Sequence, residues 1–318
     1  MFRMYQPKIS VCIPTYNYGR FISEAIDSVL GQTFSDFELL VADNASTDST
    51  EEIVRQFAAQ DARIRYVRHE SNLGMVGNWN YCLREARGKY IKFLFADDLF
   101  ASEEILELMA SVLDADESVS LVGSARKLVN SDSGITKILS FSRENKVLNG
   151  TVAINMCIRQ KQNLIGEPTA VMFRNNQAER GFDNKYHQLV DLEMWFHLLE
   201  KGKYHYFAEP LCVFRMHDEQ ESAKNAKKCV EFDDILVLYS EYLCKPYIEF
   251  SRFFKKYLWH DYYYQIWKAF RKHHRIQFVD FAGRVRDYGL MRFFVLYPVF
   301  RMYKVATKIS RKLGRKKS

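Results

Sequence analysis

The sequence predicts an α/β fold: a mostly parallel, right-handed, doubly wound sheet flanked by helices, followed by a helical C-terminal extension. Three observations carry this. Apolar strand-like runs alternate with helix-period stripes from residue 9 to about 124. The connections between them are short, so each helix must fold back onto the sheet. From about residue 226 the strand signal ends and the pattern becomes helical, aromatic and charged. A boundary near residue 222 follows, giving domains 1–222 and 223–318.

Taken in order, residues 9–13 form a first strand closed by Pro14, Thr15, Tyr16 and Asn17. The next stretch places Phe21, Ile22, Ala25, Ile26, Val29 and Leu30 on one helical stripe. A second strand, 37–42, runs into Asp43, Asn44, Ala45 and Ser46. The helix predicted over 47–60 carries Asp48, Glu51 and Glu52 near its start, the sign a helix N-terminus prefers. A strand at 64–67, a loop at 69–77 containing Asn72-Leu73-Gly74, and a helix to about 86 come next. Residues 90–95 read as a strand buried on both faces, 102–113 as a helix and 120–124 as a strand.

The second half is less regular. Residues 126–149 read as a hairpin or loop, 151–159 as a helix, 170–173 as a strand and 190–201 as a helix. Separate strands are predicted at 204–207 and 211–214.

In an open α/β sheet, ligands bind outside the carboxyl ends of the strands. Thr15, Asn17, Asp43, Asn72, Asp97 and Asp98 all lie at such ends, so the topology gathers them at one rim. The run ending in Asp97-Asp98 matters most. Two adjacent carboxylates repel unless a cation lies beside them, and a divalent metal carrying a phosphate would supply one. A purely structural reading is also open, with Asp97 as a turn residue and Asp98 capping a helix near Ser102.

Composition bounds the alternatives. With 318 residues, 47% hydrophobic and 27% charged, the chain has the material for a full core. Six scattered cysteines without a C-x-x-C pair predict reduced thiols in a cytoplasmic protein, with neither a disulfide framework nor a zinc site. No secretory signal is visible, and no apolar run approaches the roughly 20 residues of a spanning helix. The net charge of +7 is a tail property. Residues 288–318 hold nine Lys or Arg and no acid, and the remainder comes to about −2.

With the strand ends laid out, the chain resembles the family 2 glycosyltransferases of GT-A fold. The resemblance rests on Ile13-Pro14-Thr15-Tyr16-Asn17, Ala42 to Asp48, Asn72-Leu73-Gly74, Phe93 to Leu99, Gly181-Phe182-Asp183 and Asp191 to Trp195, in that order, and covers residues 8–222. It implies an inverting, metal-dependent transfer of one sugar from a UDP- or dTDP-sugar donor to a saccharide acceptor. By the same resemblance the acceptor is a lipid-linked precursor of a bacterial surface polysaccharide such as O-antigen or capsule.

The implied roles follow residue by residue. Pro14, Thr15, Tyr16, Asn17, Asn72 and Asp43 line the nucleotide pocket, with Asp43 accepting from the imide N–H that uracil and thymine offer. Asp97 lies near the ribose and metal, and Asp98 ligates Mg2+ or Mn2+. Asp191 is the general base, although a carboxylate in the first turn of a helix is favoured there by the dipole in any case. Arg215 contacts phosphate, His217 is a second metal ligand or a surface histidine, and Arg215 to Ser222 closes over the diphosphate. Glu167, Pro168 and Thr169 line the acceptor side. The family often carries acids where this chain has Phe95 and Val190, which makes the site more apolar and favours a raised pKa at Asp191.

Two rival classes are a sugar nucleotidyltransferase and a catalytically silent nucleotide-sugar-binding module. The first calls for a Gly-rich, Arg-containing loop after the first strand, and Pro14 to Asn17 is not one.

The tail interleaves Leu290, Phe293, Phe294, Leu296, Tyr297, Phe300, Tyr303 and Ile309 with Arg292, Arg301, Lys304, Lys308, Arg311 and Lys312. A basic amphipathic helix of this kind suits an anionic membrane surface, where each cation contributes on the order of 1 kcal/mol. The alternative is a helix packed on the protein with a solvated cationic end. Nucleic acid is not an expected partner, and the predicted location is the cytoplasmic face of the inner membrane.

Overall fold

Ile9–Thr15 forms β1, whose seven residues are all buried because helices cover both faces of the sheet. It pairs in parallel with β2 (Phe37–Asp43), in register Ile9 to Phe37 and Thr15 to Asp43. On its other side it pairs in parallel with β4 (Tyr90–Phe93), and β2 pairs in parallel with β3 (Ile64–Arg68). The crossovers are α1 (Gly19–Leu30), α2 (Thr50–Gln60) and α3 (Gly74–Glu85), followed later by α4 (Ile105–Ala115). This computed structural model describes residues 6–130, 134–217, 220, 231–273 and 290–314.

Parallel pairing dominates only this first half. β9 (Val171–Arg174) inserts antiparallel between β4 and β6 (Val119–Asn130). β10 (Lys203–Met216) runs parallel to β6 and antiparallel to β5 (Leu99–Phe100) and β8 (Lys146–Asn149). β7 (Gly134–Leu139) is antiparallel to β6. The sheet is therefore mixed, in the order β3-β2-β1-β4-β9-β6-β10-β5. The predicted strands at 204–207 and 211–214 are one strand, β10, with register shifts around Pro210. Proline has no N–H for the ladder, so the pairing slips there without ending. The stretch 126–149, read as hairpin or loop, continues β6 and supplies β7 and β8.

One core layer joins Ile9, Val11 and Ile13 to Ile22, Ile26 and Val29 of α1 and to Leu106, Met109 and Leu113 of α4. Truncating a fully buried member such as Leu106 to Ala costs about 2–5 kcal/mol. Elsewhere an aromatic layer packs Trp79 against Phe182 (ring centroids 5.1 Å) and Phe173 against Trp195 (5.7 Å). Gly150 opens α5 (Gly150–Gln160) where a Cβ would meet the Leu199 carbonyl oxygen at 2.0 Å. Only glycine permits that approach to α6 (Val190–Leu199).

The chain divides into two compact units, residues 1–220 and 221–318. The second holds α7 (Glu231–Tyr242), α8 (Arg252–His273) and α9 (Leu290–Gly314). Ser222, placed in the closing segment by the sequence, lies outside the described residues. No described helix is long and apolar enough to cross a membrane.

Candidate active site

The parallel strands release their chain ends at one rim, where side chains bond across loops. Asn44 N–H donates to the Thr15 carbonyl (2.9 Å), continuing the β1–β2 ladder past its end. Asn17 takes a left-handed conformation (φ 59°) that asparagine tolerates. Its N–H donates to Ser46 Oγ (2.9 Å) and its Oδ1 accepts from Thr47 N–H (2.8 Å). Asn44 Nδ2 donates to Asn72 Oδ1 (2.9 Å), and Asn44 Oδ1 accepts from Leu73 N–H (2.7 Å). Pro14 to Asn17, Asp43 and Asn72 thus belong to one bonded rim. Asp43 is fully buried, accepting from Ser46 N–H (2.8 Å) and from the Tyr66 hydroxyl (2.7 Å). Burial, then the bond to Asp43, pushes the Tyr66 phenol up and keeps it a donor. The Thr15 hydroxyl is buried without a partner among the described residues, and the Tyr16 ring is exposed.

A second cluster forms where the chain leaves β4. The sheet pairing stops at Phe93, and a turn closed by Asp98 N–H to Phe95 O (2.9 Å) sends the two carboxylates to different partners. Asp98 is 0% exposed. Its Oδ2 accepts from the Thr169 hydroxyl (2.5 Å) and its Oδ1 from Arg215 N–H (3.2 Å). Burial, then the charge of Asp97, pushes its carboxyl well above the ordinary range. The carboxylate expected to ligate the cation is thus turned inward with both oxygens engaged by protein.

Asp97 is also buried, at 7% exposed, but is the less enclosed of the two. Its Oδ2 lies 3.0 Å from His217 Nε2, and the His217 Nδ1 has no partner among the described residues. Arg215 donates from Nε to the Asp97 carbonyl, pairs through NH1 with Glu24 (2.9 Å) and lies over the Phe21 ring. His217 also packs on Tyr18 and Phe21, with centroids at 5.9 and 5.0 Å. The start of α1, next to Asn17, thereby joins the second cluster to the first. Among the described residues no group of three or more His, Cys, Asp or Glu is arranged to hold a metal alone. One carboxylate and one imidazole facing each other do fit a cation whose remaining ligands are oxygens of a bound substrate, and an imidazole donor favours Mn2+ over Mg2+.

A third cluster surrounds Asp191 in the first turn of α6. Its Oδ1 accepts from Leu192 N–H (2.7 Å) and its Oδ2 from Asn163 Nδ2 (3.2 Å). Burial first, then the negative charge of Glu167, pushes its carboxyl up to about 7, against the pull of the Leu192 N–H. Glu167 itself is held by the Arg126 guanidinium. It also raises Asp98, so Glu167 lies electrostatically between the two clusters.

Thr169, expected on the acceptor side, also supports the Asp97–Asp98 turn: its Oγ1 accepts from Phe95 N–H (3.2 Å) while donating to Asp98. Two contributors escaped the sequence reading. Asn163 binds both Asp191 and the Gly166 carbonyl (3.1 Å). Lys92, fully buried in β4, donates to the Thr169 carbonyl, and burial lowers it to about 8 despite the charges of Cys212 and Asp98. A lysine inside an apolar strand is a visible signal. Nothing local marks Asn163.

Comparison with known proteins bears on the family and the fold. The profile of the family described as glycosyl transferase family 2 matches residues 10–175. An uncharacterized protein of Mycobacterium tuberculosis is 32% identical over 219 residues, covering 66% of this chain and 67% of that one. Chondroitin synthase of Pasteurella multocida is 27% identical over 224 residues, 69% of this chain and 22% of the synthase. Among solved structures, S. aureus TarS 1–349 in complex with UDP-GlcNAc superposes with a TM-score of 0.63 at 19% identity, covering 83% of this chain and 73% of TarS.

Proposed function

The chain belongs to the family 2 glycosyltransferases, and from that premise we propose that it transfers one sugar, with inversion and with a divalent cation, from a nucleoside-diphosphate sugar to a saccharide acceptor. The observation that carries the reading is the strip 163–169. It ties the Asp191 carboxyl at one end to the Asp97–Asp98 turn at the other, so a proton acceptor and a cation-holding pair share one support.

In this reading Asp97 and His217 would hold Mn2+ in preference to Mg2+, and a cation bound there would supply positive charge for the departing diphosphate. Asp98, expected as a ligand, instead fixes the turn that presents Asp97. Asp43, buried with both oxygens engaged by Ser46 and Tyr66, fixes the rim from beneath, and the Thr15 hydroxyl and Tyr16 ring complete the nucleotide rim. The donor, by the family resemblance of these segments, is a UDP- or dTDP-sugar. Arg215 acts on Asp97 through its carbonyl more directly than on phosphate. Asp191 takes the proton of the acceptor hydroxyl as its oxygen attacks the anomeric carbon opposite the leaving diphosphate. A carboxyl near 7 is well matched to that task. Glu167 sets the charge on the acceptor side, and the acceptor is a lipid-linked precursor of a bacterial surface glycan.

The test is a thermal-shift screen of UDP-, dTDP- and GDP-sugars with and without Mn2+, followed by transfer from the stabilising donor and NMR assignment of the anomeric configuration. Mn2+-dependent stabilisation by a uridine or thymidine donor and an inverted product are expected. Retention, or transfer undiminished by EDTA, overturns the proposal.

A further inference from the structure

Helix α9 has two faces of different kinds. Tyr297, Phe300 and Lys304, spaced i, i+3, i+7, meet α8. Phe300 lies 4.9 Å from His260 and 5.4 Å from Phe253 between ring centroids, Tyr297 lies 5.7 Å from Tyr264, and Lys304 pairs with the buried Asp261 at 2.9 Å. Tyr303 adds a contact to Tyr257 at 4.9 Å. These contacts fix how the helix is rotated about its axis.

The opposite face is apolar and open. Val295, Val299 and Met302 recur at i, i+4, i+7 and are 68%, 49% and 74% exposed, with Val305 one turn further at 52%. Four large apolar side chains on one exposed stripe is the kind of patch that soluble surfaces avoid unless something covers it. The charge of the segment, read from its sequence, is of one sign. Residues 288–318 contain nine Lys or Arg and no acid, six of them from residue 308 onward. A partner that is apolar beneath and anionic at its surface fits both features. A bilayer containing acidic lipids has that profile, and the helix is too polar to cross one.

We propose that α9 lies in the interface of an anionic membrane, with Val295, Val299, Met302 and Val305 inserted among the acyl chains and the α8 side facing away from the lipid. The inference extends the reading of a lipid-linked acceptor, but its test measures binding and not transfer, so either can fail alone.

The experiment is flotation of the full chain with phosphatidylglycerol/phosphatidylcholine vesicles and with pure phosphatidylcholine vesicles. The wild type is expected to float with the anionic vesicles, at least tenfold more than with the neutral ones. The double variant Val299→Asp/Met302→Asp is expected to lose at least tenfold in partitioning, with an unchanged circular-dichroism spectrum. Val152→Asp, at an apolar site on α5 about as exposed as Val299, controls for added charge and is expected to float as the wild type does. Absence of flotation, or flotation unchanged in the double variant, overturns the proposal. So does a lipid-free dimer by light scattering that the double variant dissociates, because the face would then pair two copies of the chain.

Discussion

Replacing Asp191 by Asn exchanges one carboxyl oxygen for an NH2 group at a site where both oxygens accept hydrogen bonds, from Leu192 N–H and from Asn163 Nδ2. The folded protein raises this carboxyl from 3.8 to about 7. Below the lower value both folded and unfolded chains are protonated and nothing is lost. Between the two values the folded state holds a proton that the unfolded chain has released, so stability falls as pH rises. Above about 7 the penalty is complete. At about 1.4 kcal/mol per pH unit it would reach about 4 kcal/mol, and solvent screening of a partly exposed carboxyl reduces it to about 2. Asparagine escapes the penalty but forfeits one hydrogen bond, at about 1 kcal/mol. Asp191→Asn should therefore be about 1 kcal/mol more stable than the wild type at pH 8 and about 1 kcal/mol less stable near pH 4. Urea denaturation at both pH values, scored by midpoints at constant slope, reads this crossover. Transfer at pH 8 should fall by about 10²–10⁴-fold, the range for a lost general base. A change of the same sign at both pH values would refute the charge argument, and undiminished turnover would remove the base.

Other outcomes follow from the same contacts. Glu167→Gln removes the charge that raises Asp191 and leaves Arg126 beside it. The acidic limb of the kcat/KM profile should then move down by about one pH unit, and a limb that stays near 7 would contradict the coupling. Asp97→Ala should weaken Mn2+ binding at least tenfold by calorimetry in the presence of the nucleotide, while Asp98→Asn, with its one amide oxygen accepting from Arg215 N–H and its NH2 placed to donate to the Thr169 hydroxyl oxygen, should change it less than threefold. Equal losses would return the ligand role to Asp98. Asn80→Ala unties both the N–H and the carbonyl of Phe182 and should lower the unfolding free energy by about 1–3 kcal/mol in urea, whereas an unchanged midpoint would show that ring packing alone holds Gly181-Phe182.

The rim was legible because apolar runs end in polar residues at fixed points, and parallel pairing from Ile9–Phe37 to Thr15–Asp43 brings those ends level. Which of two adjacent aspartates is the less enclosed was not legible. The answer depends on Thr169 and Arg215, 71 and 117 residues away, and on a turn that starts when pairing stops at Phe93. The antiparallel entry of β9 was hidden for a similar reason. A short buried run such as Val171–Arg174 reads the same in either direction, and its direction is set by the loop that delivers it. The exposed face of α9 could be outlined from composition, yet its rotation became definite only through Phe300 and Lys304 on α8.

The strip 163–169 explains why a lysine is kept in the core despite the cost of burying it. Its backbone has no ladder over most of its length, so its carbonyls need donors from elsewhere. Side chains supply them: Trp195 Nε1 and Asn163 Nδ2 donate to Gly166 O, Tyr204 to Ile165 O, and Lys92 Nζ to Thr169 O. Lys92 has a second effect. Its charge lies close enough to Asp98 for each to influence the other, so the ammonium offsets part of the negative charge gathered at the Asp97–Asp98 turn. A neutral donor at position 92 could satisfy the carbonyl but would leave that charge unopposed, and an apolar residue would do neither. The spacing between Asp191 and the Asp97–His217 pair is thus held by donors from β4, α6 and β10. On this argument, loss of the ammonium should alter cation affinity even though Lys92 touches neither Asp97 nor His217.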